Sequence, residues 1–265
     1  MNERQIIHPH ANFFQRAFSR NDVAHDFILN YLPKKLVNLI DLNTLEIDRE
    51  SFVDILLSAT QSDILFKINT KDGKKLLIYF LIEHKSFLDK WVLFQLLGYT
   101  VRISEREREI KALDRKKARQ NNIENGLPEN EKECITVVVP VIFYHGQKDW
   151  NIQKLSSLYC DSSGLVNYIP EFDYELVDLS CYEEYDIAGN IYLKVAIFVM
   201  KHYYSDDFDS LLLQALSLLY DYVDDWSTIH FISIVLLYSS SHKKRGQKWL
   251  TSTIEKNFNQ AFGEK

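Results

Sequence analysis

Asp63-Ile64-Leu65-Phe66-Lys67-Ile68-Asn69-Thr70-Lys71-Asp72-Gly73-Lys74-Lys75-Leu76-Leu77-Ile78-Tyr79-Phe80-Leu81-Ile82-Glu83-His84-Lys85 is the passage on which the fold turns. Ile64 to Ile68 and Lys75 to Ile82 are β-rich stretches of strand length. Between them Asp72-Gly73 is a strong hairpin signal, because glycine accepts a positive φ at little cost. Folding back there pairs the two stretches antiparallel. Asp63 and Glu83 lie almost equidistant from Gly73, so they are expected opposite one another to within a residue or two, the register depending on any bulge at the turn. Glu83 and Lys85, two apart, share a strand face.

Two carboxylates held that close repel, and both lose hydration beside an apolar strand. A divalent cation removes that cost, and oxygen ligands of this kind suit Mg²⁺ or Mn²⁺. Lys85 then has a use that an acid-only site lacks: it can orient or deprotonate the attacking water, or offset charge building on a phosphorus centre. The same residues also admit a plain surface ion pair between Glu83 and Lys85 at a strand end.

The words around this core resemble a known family. Ser51-Phe52-Val53-Asp54, Gln61-Ser62-Asp63-Ile64-Leu65-Phe66 and Ile78-Tyr79-Phe80-Leu81-Ile82-Glu83-His84-Lys85-Ser86 carry the likeness. Asp89-Lys90-Trp91, Leu96-Leu97-Gly98-Tyr99-Thr100-Val101-Arg102-Ile103, Val139-Pro140-Val141-Ile142-Phe143-Tyr144-His145-Gly146 and the opening His10 to Phe18 extend it. Together they resemble the Rpn or YhgA-like family of recombination-promoting nucleases and putative transposases, over about residues 8 to 200. An acid on one strand and Glu-x-Lys at the end of the next is also similar to the PD-(D/E)XK nuclease superfamily. The resemblance implies an α/β (α+β) protein with an αβββαβ core, acting as a metal-dependent DNA endonuclease with Mg²⁺ or Mn²⁺ as cofactor. By position, Asp63 and Glu83 become metal ligands with a main-chain carbonyl near His84, and Lys85 the catalytic lysine. Many relatives carry Gln where Lys85 stands and Arg where Gln95 stands. Many also have an acid where this chain reads Ala11.

Gln95 and Tyr99, one helical turn apart, fall on one face of the helix expected after the Glu-x-Lys strand. Gln95 joins the candidate catalytic set as a buttress of the site, as in some superfamily branches; the other reading packs Tyr99 in the core and leaves Gln95 a partly buried polar residue.

Composition bounds the remaining classes. At 265 residues, 46% hydrophobic and 26% charged, the chain reads as globular, and no apolar run reaches membrane-spanning length. Met1 to Gln5 precede no signal-peptide core, so a cytoplasmic address is expected. Cys134, Cys160 and Cys181 form neither a zinc motif nor a disulfide set and are expected as buried thiols. No zinc-hydrolase His spacing and no Gly-rich nucleotide loop is present. The net charge of −6 opposes a uniformly DNA-binding surface, since duplex affinity comes largely from neutralised phosphates. Local patterning differs. Arg102, Arg106, Arg108 and Lys111 alternate with acids as in a solvated helix, whereas Arg115, Lys116, Lys117 and Arg119 are expected to contact DNA.

Helices are expected over Phe13 to Phe18 and over Val23 to Tyr31, the second stopped by Pro33. Leu42 to Ile47 or Phe52 to Leu57 supplies a further strand or short helix, and Asn121 to Cys134 a mobile loop. Ile135 to Tyr144 reads as a buried strand despite Pro140, and residues around Tyr174 to Leu179 alternate. Ile191 to Tyr204, Phe208 to Val223, Ile229 to Tyr238 and Trp249 to Phe262 have helical periodicity. The division expected is a nuclease domain at 8–186 and a helical bundle appendage at 187–265, with His242-Lys243-Lys244-Arg245 as a polar loop. DNA is the expected partner, no membrane is, and a homo-oligomer is left open. A catalytically weakened DNA-binding or assembly module, which Ala11 would allow, and a toxin-like anti-phage nuclease are the alternative functions.

Overall fold

The sheet is ordered by the hairpin. In the computed structural model, which describes residues 8–48, 64–72, 77–120, 134–152, 154–160, 164–241 and 249, with side chains at 48, 77–84 and 118–120 left aside, the strands are β1 (Ile40–Asp48), β2 (Ile64–Thr70), β3 (Leu77–Lys85), β4 (Val137–Tyr144) and β5 (Glu175–Asp178). They form one five-stranded sheet in sequence order. β2 and β3 are antiparallel, and every pair from Ile64 with Ile82 to Asn69 with Leu77 straddles position 73 symmetrically. The β1–β2 ladder has a register shift between Asp41 and Glu46.

β3 runs three residues further than the apolar run suggested. Among the described residues Ile82 is the last of β3 paired to β2, and β4 pairs parallel to β3 through Glu83 with Ile142, His84 with Phe143 and Lys85 with Tyr144. A parallel partner therefore carries three polar residues as strand. The crossover between β3 and β4 is α4 (Val92–Gln120). β5 extends the parallel half, with Tyr144 beside Asp178. Only the second half of β4 is buried, from Pro140 onward; Val137 is 60% exposed, which corrects the expected fully buried strand. Pro140 stands one residue before the β5 ladder begins, where the proline is tolerated.

Helices cover both faces. On one side lie α1 (Pro9–Phe18), α2 (Asn21–Tyr31), α5 (Ile191–His202), α6 (Phe208–Ser217) and α7 (Trp226–Ser240), which share one core with Ile64, Phe66, Ile68, Val141 and Phe143 of the sheet. Pro9 starts α1, where its missing N–H costs nothing, and α2 ends before Pro33 with α3 (Lys34–Leu39) following. α5 is capped by Asn190, whose side chain accepts from the Leu193 N–H at 3.0 Å, and α7 by Asp225, which accepts from Ser227 N–H at 3.0 Å. α7 buries Phe231, Ile232, Val235 and Tyr238 in that core and leaves Trp226, Ile229 and Leu237 exposed on its other face. Residues on both sides of the expected 186/187 boundary thus contribute to a single core. The helix expected over Phe208 to Val223 ends at Ser217 and passes into a 3-10 turn at Tyr220–Tyr222.

On the other face, Val92, Leu93, Leu96, Tyr99 and Ile103 of α4 pack on Leu65, Ile142 and Tyr144. The apolar stripe stops there; Ile110 and Leu113 farther along are 40% and 55% exposed. Glu107 fastens this half of α4 to the start of β4, accepting from the Thr136 N–H at 2.9 Å, from the Thr136 hydroxyl and from Lys111 Nζ at 2.6 Å. Burial pushes the Glu107 carboxyl up, but the bonds from Lys111 and Thr136 together hold it below its ordinary range.

All three cysteines are exposed, which overturns the expected buried thiols: Cys134 and Cys160 lie in connections, and Cys181 ends the 3-10 turn Leu179–Cys181. No helix among the described residues is long and apolar enough to cross a membrane. The segments Phe52 to Leu57, 121–133, 242–248 and 250–265 lie outside the described residues.

Candidate active site at the end of the third strand

Lys85 ends β3 with 7% of its surface exposed, an unusual place for a lysine. Its ammonium donates to Gln95 Oε1 at 3.0 Å and to Asp89 Oδ2 at 3.3 Å. Both partners come from the chain that turns back from β3 into α4. Asp89 Oδ1 accepts from the Trp91 N–H at 3.0 Å and the Asp89 carbonyl from the Val92 N–H at 3.2 Å, so one carboxylate opens the helix and holds the lysine. Gln95 is one turn into α4, with its N–H bonded to the Trp91 carbonyl at 3.0 Å. The pairing with Asp89 and Gln95 takes Lys85 out of the class of plain surface lysines.

Tyr99 is buried at 6% in the α4 core, while Gln95 is half-buried and engaged with Lys85. Tyr99 thus packs in the core as the second reading of that helical turn had it, and Gln95 is bonded to Lys85. The Lys85 cation and the Gln95 amide sit at opposite ends of one 3.0 Å contact.

The floor of the site is Tyr144, paired with Lys85 across the β3–β4 ladder. Its hydroxyl donates to the Lys148 carbonyl at 2.7 Å, and its ring meets Trp150 at 5.0 Å between centroids. Gly146 is obligatory beside it, since a Cβ there would stand 2.3 Å from the Tyr144 hydroxyl. The His145 N–H donates to the Lys85 carbonyl at 3.0 Å, and its imidazole is buried. Burial, reinforced by His10, pushes the His145 imidazole down to about 3 against a weaker opposing bond to the Met200 carbonyl, so it is neutral.

Of the predicted site residues, the structure brings Lys85 and Gln95 together. Asp63 lies outside the described residues, and Glu83 and His84 are described as β3 backbone only. Among the described residues no group of three His, Cys, Asp or Glu side chains is placed to hold a metal ion. The basic group is elsewhere. Arg115 is twenty residues beyond Gln95 on α4, about 30 Å at the helical rise, so Arg115, Lys116, Lys117 and Arg119 do not belong to the Lys85 site. Lys116 and Lys117 are exposed, and the side chain of Arg119 is outside the described set. In the alternating stretch before them, Arg106 pairs with Glu109 at 3.6 Å and Lys111 with Glu107, as a charge-laced helix should.

Sequence reasoning gave no role to Asp89, although an Asp just ahead of an apolar helical run is a capping signal and its i,i+4 spacing from Lys85 was legible. It also missed the ring cluster behind the site, where His10 meets Tyr204 and Tyr238. No local signal could have found that, since the partners are 194 and 228 residues away.

A family model described as "Putative transposase, YhgA-like" matches residues 8–228. Recombination-promoting nuclease RpnD of Escherichia coli O157:H7 is 28% identical over 214 residues, 80% of this chain and 74% of that protein. Recombination-promoting nuclease RpnA of Escherichia coli (strain K12) is 27% identical over 220 residues, 83% of this chain and 68% of its own. A protein of the same strain named inactive recombination-promoting nuclease-like protein RpnE is 29% identical over 202 residues, 76% of this chain and 57% of its own. No solved structure matches.

Proposed function

The chain belongs to the YhgA-like putative transposase family, and from that premise we propose that it is a metal-dependent DNA endonuclease acting in recombination, centred on Asp63, Glu83 and Lys85. The observation that carries the reading is the buried, doubly held Lys85 at the end of β3. Two features of the sheet support it. Ile64 pairs with Ile82, and Asp63 and Glu83 are the next residues outward in the two chains. Leu65 packs toward α4, the side on which Lys85 meets Gln95, and strand alternation gives residues two apart the same side. The element order β1-β2-β3-α4-β4 is that of the αβββαβ core the resemblance implies.

Asp63 and Glu83, with a main-chain carbonyl near His84, are the residues that would hold Mg²⁺ or Mn²⁺; their all-oxygen chemistry suits such hard cations. When bound, the ion supplies Lewis-acid polarisation of the phosphate. The protein's own part falls to Lys85, which is bonded to Asp89 and aimed by Gln95. There the ammonium orients the attacking water and offsets negative charge on the phosphate oxygens as the P–O ester bond breaks. Arg115, Lys116, Lys117 and Arg119, about 30 Å along α4, would reach backbone phosphates some nine base pairs away and contribute affinity but no chemistry.

Relatives include both named nucleases and two named inactive, so a DNA-binding module without cleavage is the second reading, favoured by Ala11 in α1. Supercoiled plasmid with Mg²⁺ or Mn²⁺ separates them. Nicking by the wild type that Glu83→Ala and Lys85→Ala both abolish supports the enzyme. Retained plasmid binding without nicking, and a Mn²⁺ titration by calorimetry unaltered in Glu83→Ala, overturns it.

A further inference from the structure

Three large aromatic side chains stand in water within eight consecutive residues, along the turn from β3 into α4. Phe87 is 64% exposed, Trp91 50% and Phe94 55%. Rings left out together beside a proposed reaction centre are surface kept for a partner. They flank the groups that hold Lys85. The Trp91 N–H donates to Asp89 Oδ1 at 3.0 Å while Asp89 Oδ2 accepts from the Lys85 ammonium at 3.3 Å, so a single carboxylate separates the Trp91 backbone from that ammonium. The Trp91 carbonyl accepts from the Gln95 N–H at 3.0 Å, and Gln95 Oε1 meets the same ammonium at 3.0 Å. Trp91 and Gln95 are one helical turn apart, and Phe94 follows Trp91 by three residues, the spacing of neighbours on a helix.

The backbone of Trp91 is thereby fixed at both of its polar groups while half of its surface stays in water. Lys90 Nζ lies over its ring, 5.0 Å from the centroid. An aromatic face with a cation beside it is what holds a nucleotide of a single strand: the base stacks on the ring and the phosphate meets the charge. Charge then decides which DNA suits the place. The chain carries a net −6, and Asp89 adds a carboxylate to the turn itself, so phosphate attraction alone is weak here. A paired base cannot use the rings either, since its faces are covered by its neighbours and unstacking a step costs free energy. An unpaired base has its face open.

We infer that the turn at 87–94 is a stacking platform, centred on Trp91, for an unpaired base next to the phosphate that Lys85 serves, so that the substrate class is DNA with a single-stranded or bubbled step. As a statement about cleavage this rests on the nuclease reading; as a statement about binding it rests on the exposed rings and Lys90.

The test uses the full chain and two labelled DNAs of equal length, a fully paired duplex and the same duplex with a short central bubble. Binding is read by fluorescence anisotropy in EDTA, and cleavage of the same DNAs with Mn²⁺. Wild type binds the bubble about tenfold more tightly than the duplex, the value of one stacked base. Trp91→Ala brings the two within about twofold and leaves duplex affinity unchanged, whereas Trp91→Phe, which keeps a ring, retains most of the preference. Added salt weakens both complexes without lowering their ratio, because stacking releases no counterions. With Mn²⁺ the bubble is cut in preference to the duplex, and Trp91→Ala removes that preference. Equal affinity of the wild type for both DNAs, or a preference that Trp91→Ala leaves intact, overturns the inference. A Trp91-dependent binding preference in a wild type that cuts neither DNA keeps the platform and removes the nuclease reading instead.

Discussion

Acidifying the protein from pH 7.5 to pH 5 should cost it stability through one residue, His145. Its imidazole titrates at about 3 in the folded chain against 6.5 when unperturbed, because it is buried, faces His10 at 5.0 Å between ring centroids and is only partly compensated by the Met200 carbonyl. Between those two values the unfolded chain binds a proton that the folded chain refuses, so stability rises with pH across the window and falls on acidification. The slope is about 1.4 kcal/mol per pH unit once pH is well below 6.5, which makes about 2 kcal/mol at pH 5 and almost nothing at pH 7.5. With a urea m-value of about 3 kcal/mol/M, the unfolding midpoint should drop by about 0.7 M. Urea titrations of wild type and His145→Gln at half-unit pH steps isolate the effect, since every other histidine is common to both. The glutamine variant will be less stable at pH 7.5, yet its midpoint should fall less steeply with acid. Parallel pH profiles for the two proteins would refute the assignment of a neutral, proton-refusing imidazole beside Lys85.

The Lys85–Gln95 contact should tolerate exchange of its ends: Lys85→Gln leaves two amides, Gln95→Arg sets two cations at a 3.0 Å contact, and the double variant restores a charged donor to an amide acceptor. Each single change should cost about 1.5–3 kcal/mol by urea unfolding and the double distinctly less than their sum, an additive result counting against the contact. Gly146→Ala drives a methyl into Tyr144 and is expected to destabilise by about 1–3 kcal/mol and lower plasmid nicking, with unchanged melting sinking the claim that this glycine is obligatory. Glu107, held below its ordinary range despite burial, contributes stability that is lost as pH falls below about 4.5, so Glu107→Gln should flatten the acid limb there while weakening the protein at neutral pH. Charge reversal at Lys116 and Lys117 should reduce plasmid affinity and its salt slope without changing kcat, whereas unaltered binding would leave α4 a solvated helix.

The hairpin was legible because its information is local. Asp72-Gly73 and the two apolar runs fix a fold-back, and the observed pairs straddle position 73 as the composition of the turn requires. The helical segments from Ile191 onward and the helix beginning near Gln95 were likewise written in apolar periodicity. Where local reasoning failed, a neighbour decided. Glu83, His84 and Lys85 have no strand pattern of their own and are strand because β4 pairs with them. The cysteines, small and apolar, gave no sign that each would land at the surface.

The sequence by itself determined the fold-back that sets Ile64 opposite Ile82, since turn chemistry and strand alternation act over a few residues. Only the tertiary structure decided how Lys85 is held. Asp89 and Gln95 reach it because α4 turns back over its face, and behind the sheet His10 bonds to Tyr204 because α1 and the chain after α5 pack on the other face. Those contacts join residues up to 194 positions apart, and such a separation is closed by burial of a shared core, which no pattern along the chain records.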